Sequence, residues 1–325
     1  HVAGVPPRLT GNETFLLRVI AADTGEPLPG ARVLLNVVSN GEWITPDDRQ
    51  TGTDGVCVIP LPRGALARLD AGAHVPGYEN RYFTWNSAWQ HPRPDTHTLV
   101  LGRAETVGGQ VVDEQRRPVP GITVWLDYKI SDTSWREPDE DRERLGFMRR
   151  IRLGTTDAQG QWLCSTIPSA RTWFAFEFEH PDFVKNTLSV NREDETEVGR
   201  QTLTRLRSRS LVTTMRAGAV AFGQVVDGNG EPIAGARIGT SWHEHGVLTD
   251  QNGQFTVHSL PRGEVMFIAS ADDYAPRKFR TQAGGEAARV RLDPGGLVRA
   301  RIVDTHGEPI AGATLVLEDG FGAGA

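Results

Sequence analysis

One phrase occurs four times along this chain, and that repetition limits the folds open to it more than any other feature. It reads "RVIAADTGEPLPGARV" at 18–33, "GQVVDEQRRPVPGITV" at 109–124, "GQVVDGNGEPIAGARI" at 223–238 and "RARIVDTHGEPIAGATL" at 299–315. Ordered self-similarity means an array of like units. The anchoring prolines are Pro27, Pro118, Pro232 and Pro309, spaced by about 91, 114 and 77 residues. Such spacings are domain-sized and too long for the coils of a thin solenoid. Each complete copy has length enough for its own core.

Inside the phrase, Val225 and Val226 belong to a first strand, and Asp227, Gly228, Asn229 and Gly230 reverse the chain. Pro232 fixes φ and withholds a donor at the margin of the next strand. Gly235 is expected to mark a bulge or a close backbone approach, and Ala236 a crowded inward position. A second phrase reads "TGTDGVCVIPLPRG" at 51–64, "GTTDAQGQWLCSTIPSA" at 154–170 and "VLTDQNGQFTVHSLPRG" at 247–263. Its Thr-Asp pair suits an Asx-type turn, and one core position holds Cys57, Trp162 or Phe255. In repeat 1 this phrase reads one residue shorter. A third phrase carries Tyr78, Phe183 or Tyr274 and precedes a last alternating strand such as "HTLVLG" at 97–102.

Short alternating strands divided by Gly, Pro and Asp turns, with no long helical period, predict an all-β chain of antiparallel β-sandwiches. Three are complete and one is partial. The expected layout is an N-terminal extension at 1–13, repeat 1 at 14–103, and repeat 2 at 104–218 with a charged insertion at 129–154. Repeat 3 follows at 219–295 and a partial repeat 4, its first two strands, at 296–325.

The three phrases in this order resemble the carboxypeptidase regulatory-like domain, a transthyretin-like (prealbumin-like, Ig-like) sandwich related to the B-type repeats of bacterial surface adhesins. The resemblance covers roughly residues 15–320; repeat 1 departs from it with Ala22 where the other copies carry Asp. It implies a structural or binding role in a bacterial secreted or surface protein. B-type relatives often carry a Lys–Asn isopeptide bond. Its lysine belongs on the first strand, where these repeats have Val, Arg, Gln or Ala, so that cross-link is not expected.

The net charge of −6 gives no reason to approach nucleic acid or an anionic membrane. No run approaches the ~20 apolar residues of a membrane span. Cys57 and Cys164 fall in different repeats, which implies buried thiols rather than a disulfide framework.

Several segments invite a chemical reading. His243 and His245 in "SWHEHG" sit at a spacing that suits two metal ligands on one strand face. Intradiol dioxygenases, whose sandwich is related, add two tyrosines to such a pair, and repeat 3 offers only Tyr274; the plainer reading is a solvated strand. His1 invites comparison with the N-terminal histidine of copper monooxygenases, yet nothing fixes a second ligand beside it. "DGNGE" and "DQNGQ" resemble pieces of calcium loops but lack the terminal bidentate Glu, and turn chemistry explains both.

Tyr82, Trp85 and Trp89, with His91, form the densest aromatic stretch, suited to stacking on a glycan or anchoring a peptide. The competing reading is a hairpin whose rings cover the sandwich edge. Arg205, Arg207 and Arg209 are expected on one strand face. In the fourth copy Arg299, Ile302, Val303, Leu315, Val316 and Leu317 would supply two strands whose edges require a partner. That partner is either further chain or a second copy, and head-to-tail strand complementation would propagate into a filament.

No nucleophile elbow, H-E-x-x-H or phosphate loop is present in the sequence. The expectation is a non-catalytic structural or interaction protein without cofactors, secreted, periplasmic or on the cell surface, with the extracellular side preferred. The alternative is a carbohydrate- or peptide-binding accessory region of a larger secreted protein. A metal-dependent enzyme using His243 and His245 ranks last.

Overall fold

The computed structural model of the chain describes residues 13–62, 65–89, 92–127, 143–145, 150–167, 173–191, 194, 196–240, 246–296, 301–303 and 305–310. Repeat 1 runs through β1 (Thr14–Ala21), β2 (Arg32–Ser39), β3 (Glu42–Ile44), β4 (Arg49–Gln50), β5 (Val56–Pro60), β6 (Leu66–His74), β7 (Arg81–Asn86) and β8 (Thr96–Leu101). Repeat 2 holds β9 (Glu105–Val112), β10 (Thr123–Asp127), β11 (Glu143–Leu145), β12 (Ile151–Thr155), β13 (Gln161–Ile167), β14 (Trp173–His180) and β15 (Phe183–Asn191). It ends with α1 (Glu197–Arg207) and β16 (Leu211–Thr214). Repeat 3 comprises β17 (Ala219–Val226), β18 (Arg237–Gly239), β19 (Val247–Leu248), β20 (Gln254–Leu260), β21 (Gly263–Ser270), β22 (Arg277–Ala283) and β23 (Ala288–Arg291).

The three copies share one plan. A three-stranded sheet is ordered β5-β1-β8, β13-β9-β16 or β20-β17-β23. The second sheet is ordered β7-β6-β2-β3, β12-β10-β14-β15 or β19-β18-β21-β22, with β4 beside β2 in repeat 1. The expected sandwiches are present, with one refinement. The first and last strands of every copy pair in parallel, β1 with β8, β9 with β16 and β17 with β23. The last strand arrives by a crossover from the other sheet, which lets it run alongside the first rather than against it.

Side chains alternate as a half-buried sheet requires. In β1, Phe15, Leu17, Val19 and Ala21 are buried while Leu16 and Arg18 face outward. Phe15 stacks on Phe83 at 5.4 Å in repeat 1, Trp162 lies 4.5 Å from Phe176 in repeat 2, and Phe279 lies 5.7 Å from Phe267 in repeat 3. Cys57, Trp162 and Phe255 are all buried in the position the second phrase assigns them. Both thiols are free and buried, and burial pushes Cys164 up to about 11.

A buried threonine joins the first phrase to the second in each of the first three copies. The Thr156 hydroxyl accepts from the Ile122 N–H at 3.0 Å and donates to the Val119 carbonyl at 2.7 Å. Thr249 makes the same pair with Ala236 and Ile233, and Thr51 with Ala31 and Leu28. Four residues on, Gly55, Gly160 and Gly253 adopt φ of 72°, 70° and 69°. A Cβ on Gly160 would stand 2.3 Å from the Val111 carbonyl oxygen, so both conformation and space demand glycine there.

This geometry corrects two sequence readings. Repeat 1 is not a residue short: Thr51 is the counterpart of Thr156 and Thr249, and Gly52 stands where they are followed by Asp157 and Asp250. Gly235 is neither a bulge nor a close approach, since a Cβ there would meet nothing within 4 Å; its φ of +73° is the reason for glycine. The neighbouring Ala236 is fully buried, as expected.

A third correction concerns Arg205, Arg207 and Arg209, which share no strand. Arg205 and Arg207 lie in α1, with Arg209 two residues past its end. Thr196 caps α1 by accepting from the Gly199 N–H, and Leu203 and Leu206 pack into the core of repeat 2. The cap and the i,i+3 leucines were the available signal.

The fourth copy repeats the opening turn: Val303 bridges Pro309, as Ile20, Val112 and Val226 bridge Pro27, Pro118 and Pro232. The Ile310 N–H donates to the Ile302 carbonyl at 3.0 Å, and Val303 is exposed. Arg299, Leu315, Val316 and Leu317 lie outside the described residues. Repeats 1 and 2 fall in one compact unit, His1–Val220 with His258–Arg262; Ala221–Val257 and Gly263–Ala325 form another.

Replacing Thr156 by Val keeps its shape but strands a buried N–H and a buried carbonyl. Urea denaturation is expected to register a loss of about 2–4 kcal/mol, whereas Thr156→Ser, which keeps both bonds, should lose about 1 kcal/mol. Equal losses for the two variants would refute the clip.

Candidate functional site

Repeat 1 builds its most chemically varied surface on the outer face of its larger sheet. Strand register sets side chains from neighbouring strands in transverse rows. Trp43 pairs with Val38, Val38 with Arg68 and Arg68 with Asn86, so β3, β2, β6 and β7 each contribute one residue to the first row. In the second row Asn36 pairs with Asp70 and Asp70 with Thr84, while the Thr45 hydroxyl donates to Asn36 Oδ1 at 3.1 Å. The third holds Leu34, Gly72 and Tyr82, with Arg144 of β11 opposite Tyr82.

The third row and the inner part of the second are covered, while Asn36 at the margin is half-buried. Asp70, Thr84, Tyr82 and Leu34 are all buried, and Leu34 belongs to the hydrophobic core of repeat 2. Repeat 2 also reaches repeat 1 through its backbone. The Gly77 N–H donates to the Ser165 carbonyl at 2.8 Å, and β11 adds itself antiparallel to the free edge of β7. A three-residue strand from the charged insertion thus extends the previous copy's sheet.

Buried polar groups under this cover have partners. Arg68 Nε donates to Asp70 Oδ2 at 2.8 Å and the Thr84 hydroxyl donates to Oδ1 at 2.8 Å. Burial is the largest influence on Asp70 and lifts its carboxyl above the ordinary range, against the opposing pull of Arg68 and Thr84. Glu79 Oε1 accepts from Arg81 Nε and from the Gly102 N–H. The Arg68 guanidinium also lies over the indole of Trp43, 5.6 Å from the ring centroid, while Trp43 itself is 63% exposed.

Two rings of the aromatic stretch anticipated as a ligand platform, Tyr82 and Trp85, are buried. Phe83 and Trp85 point into the core of repeat 1, and Tyr82, on the opposite face, is enclosed as well. Neither Tyr82 nor Trp85 offers a ring face to a sugar, because Trp85 packs in the core and Tyr82 is covered on the outer face. Trp89 ends a short 3-10 turn, Ser87–Trp89; its side chain and His91 lie outside the described residues. So do His1, His243 and His245. Among the described residues no three His, Cys, Asp or Glu side chains group as metal ligands. Trp43, at a strand edge with no aromatic neighbours in sequence, was missed; its signal was its outward parity beside the Asn40-Gly41 turn.

Repeat 2 carries an ion network on its own outer face. Arg150 Nη1 reaches Glu177 at 2.9 Å and Glu179 at 2.6 Å, and Lys185 Nζ reaches the same carboxylates at 3.0 and 3.5 Å. Arg150 also stacks over Trp125 at 4.3 Å. Burial pushes Glu177 up, but its bonds to Lys185 and Arg150 outweigh that and hold the carboxyl below its ordinary range. A lowered folded value means stability that is present above the unfolded carboxylate range and lost as pH falls through the lowered one. The cations are nearly half exposed, so the gain is about 1 kcal/mol or less. Melting scans from pH 7 to pH 3 should give a shallower acid decline for Glu177→Gln than for the parent; parallel curves would contradict this.

Residues 222–294 match the family model of the carboxypeptidase regulatory-like domain. No curated protein matches the chain. Among solved structures, a streptococcal ancillary pilin aligns at 13% identity over 87% of this chain and 99% of its own, with a TM-score of 0.28. The Bacillus anthracis TIE protein aligns at 12% identity over 86% of this chain and 50% of its own, with a TM-score of 0.23. The minor pilin GBS52 of Streptococcus agalactiae aligns at 9% identity over 62% and 100%, with a TM-score of 0.26. At such low TM-scores none of these likenesses bears on function. The matched segment, residues 222–294, is thus similar to a carboxypeptidase regulatory-like domain, and the two earlier copies share its strand order.

Proposed function

We propose that this chain is a non-catalytic structural and interaction protein of the cell surface or extracellular space, its tandem sandwiches serving as a scaffold. The observation that carries this reading is the junction of repeats 1 and 2. There β11 extends the neighbouring sheet, Gly77 bonds Ser165, and Leu34 enters the next core. A chain that spends sequence on holding consecutive copies together is suited to keeping a fixed spacing. Antibodies raised against repeat 3 provide the test: immunogold label on the exterior of intact producing cells is expected, and label confined to the interior would defeat the proposal.

Assembly of copies through the fourth opening phrase is the finer form of this reading. It is supported by the turn at Val303–Pro309, which matches the turns that open three sandwiches, and by the strand addition already present within the chain. Sedimentation velocity over a hundredfold concentration range should reveal growing oligomers that Val303→Asp suppresses. Monomers throughout would remove assembly while leaving the scaffold role in place.

A further inference from the structure

Trp43 is exposed, yet it is not a loosely held surface side chain. Its strand β3 is short and lies at the sheet edge, paired with β2 through Val38 and two strands from β6. There the Arg68 guanidinium lies over the ring, and Arg68 is itself fixed by the buried carboxylate of Asp70, which Thr84 holds from the other side. Each link removes a degree of freedom from the next. The ring is thereby presented with one side supported, and its 63% exposure leaves the remainder to solvent.

We propose that this row is a binding site for neutral glycan chains, with the indole stacking on the apolar face of a pyranose ring. Aromatic side chains suit that contact because they combine a flat apolar face with little conformational entropy to lose. Asn86 at the far end of the row, and Thr45 with Asn36 beside it, are amides and a hydroxyl matched to sugar hydroxyls. Charge also selects the ligand. Arg68 is neutralised by Asp70 at 2.8 Å, so the site offers an acidic glycan no uncompensated cation.

A protein partner is disfavoured by size and composition. A stable protein interface buries about 800 Å² per side around an apolar centre. Here the open row presents one indole and Val38 among polar groups, while the buried Tyr82 and Leu34 are already covered. The scaffold proposal does not depend on this site. A surface scaffold can lack a glycan site, so failure here leaves the immunogold result untouched.

Affinity electrophoresis of the full chain provides the test, in gels cast with xylan, hydroxyethylcellulose, galactomannan or polygalacturonate. Retardation is expected in at least one neutral polysaccharide. Trp43→Ala should weaken it at least tenfold and Trp43→Tyr should retain most of it, with circular dichroism and thermal midpoint unchanged in both. Free migration in all three neutral gels would overturn the proposal, as would retardation indifferent to Trp43→Ala. Retardation by polygalacturonate alone would overturn it by pointing to charge. A change in sedimentation on Trp43→Ala without glycan would assign the ring to an interface between copies instead.

Discussion

Each sandwich depends on one buried hydroxyl. Thr51, Thr156 and Thr249 tie the return of the opening turn to the start of the second turn, each accepting one backbone bond and donating another. A strand that slips by one residue turns its apolar side chains to water. The clip opposes that slip where the chain passes between sheets, beside the two backbone bonds that each threonine exchanges with the opposite segment. The backbone strengthens the join: the Val19, Val111 and Val225 N–H groups each donate to the carbonyl of the glycine four residues past the threonine. The recurrence of the three phrases in fixed order is the linear trace of this three-dimensional knot of bonds.

Covering the second face of a sheet has consequences that spread. An exposed face tolerates any polar residue; a covered one demands a partner for each. Asp70, Glu79 and Thr84 are interior groups of the two-repeat unit, and each is bonded. The pairing of Arg68 with Asp70 answers that demand, and the same guanidinium then supports Trp43 at the margin of the covered area. A feature with the look of a surface accident is thus continuous with the junction that joins two copies. Repeat 2 solves a similar problem in the open, where Arg150 and Lys185 share two carboxylates under solvent screening.

What could be read in the linear chain was whatever depends on neighbours in sequence. Turn residues, alternation and the repeated order led to the sandwiches, to the buried positions of Cys57, Trp162 and Phe255, and to free thiols. The charged composition around α1 hid its cap and its two core leucines, because surface charge dominated the segment while only one narrow stripe packs. Gly235 and Gly160 occupy equally glycine-specific positions for different reasons, one conformational and one also steric, and no sequence pattern separates the two.

The sequence by itself determined the class of fold, the number of opening phrases and the inward face of each strand, since those follow from local sterics and period-two alternation. Tertiary structure alone decided which outward faces remain outward. Tyr82 alternates away from its own core and is buried nonetheless, while Trp43, with the same outward parity, stays in water. The difference is the apposition of two repeats distant in sequence, and burial between copies leaves no periodic mark on either one.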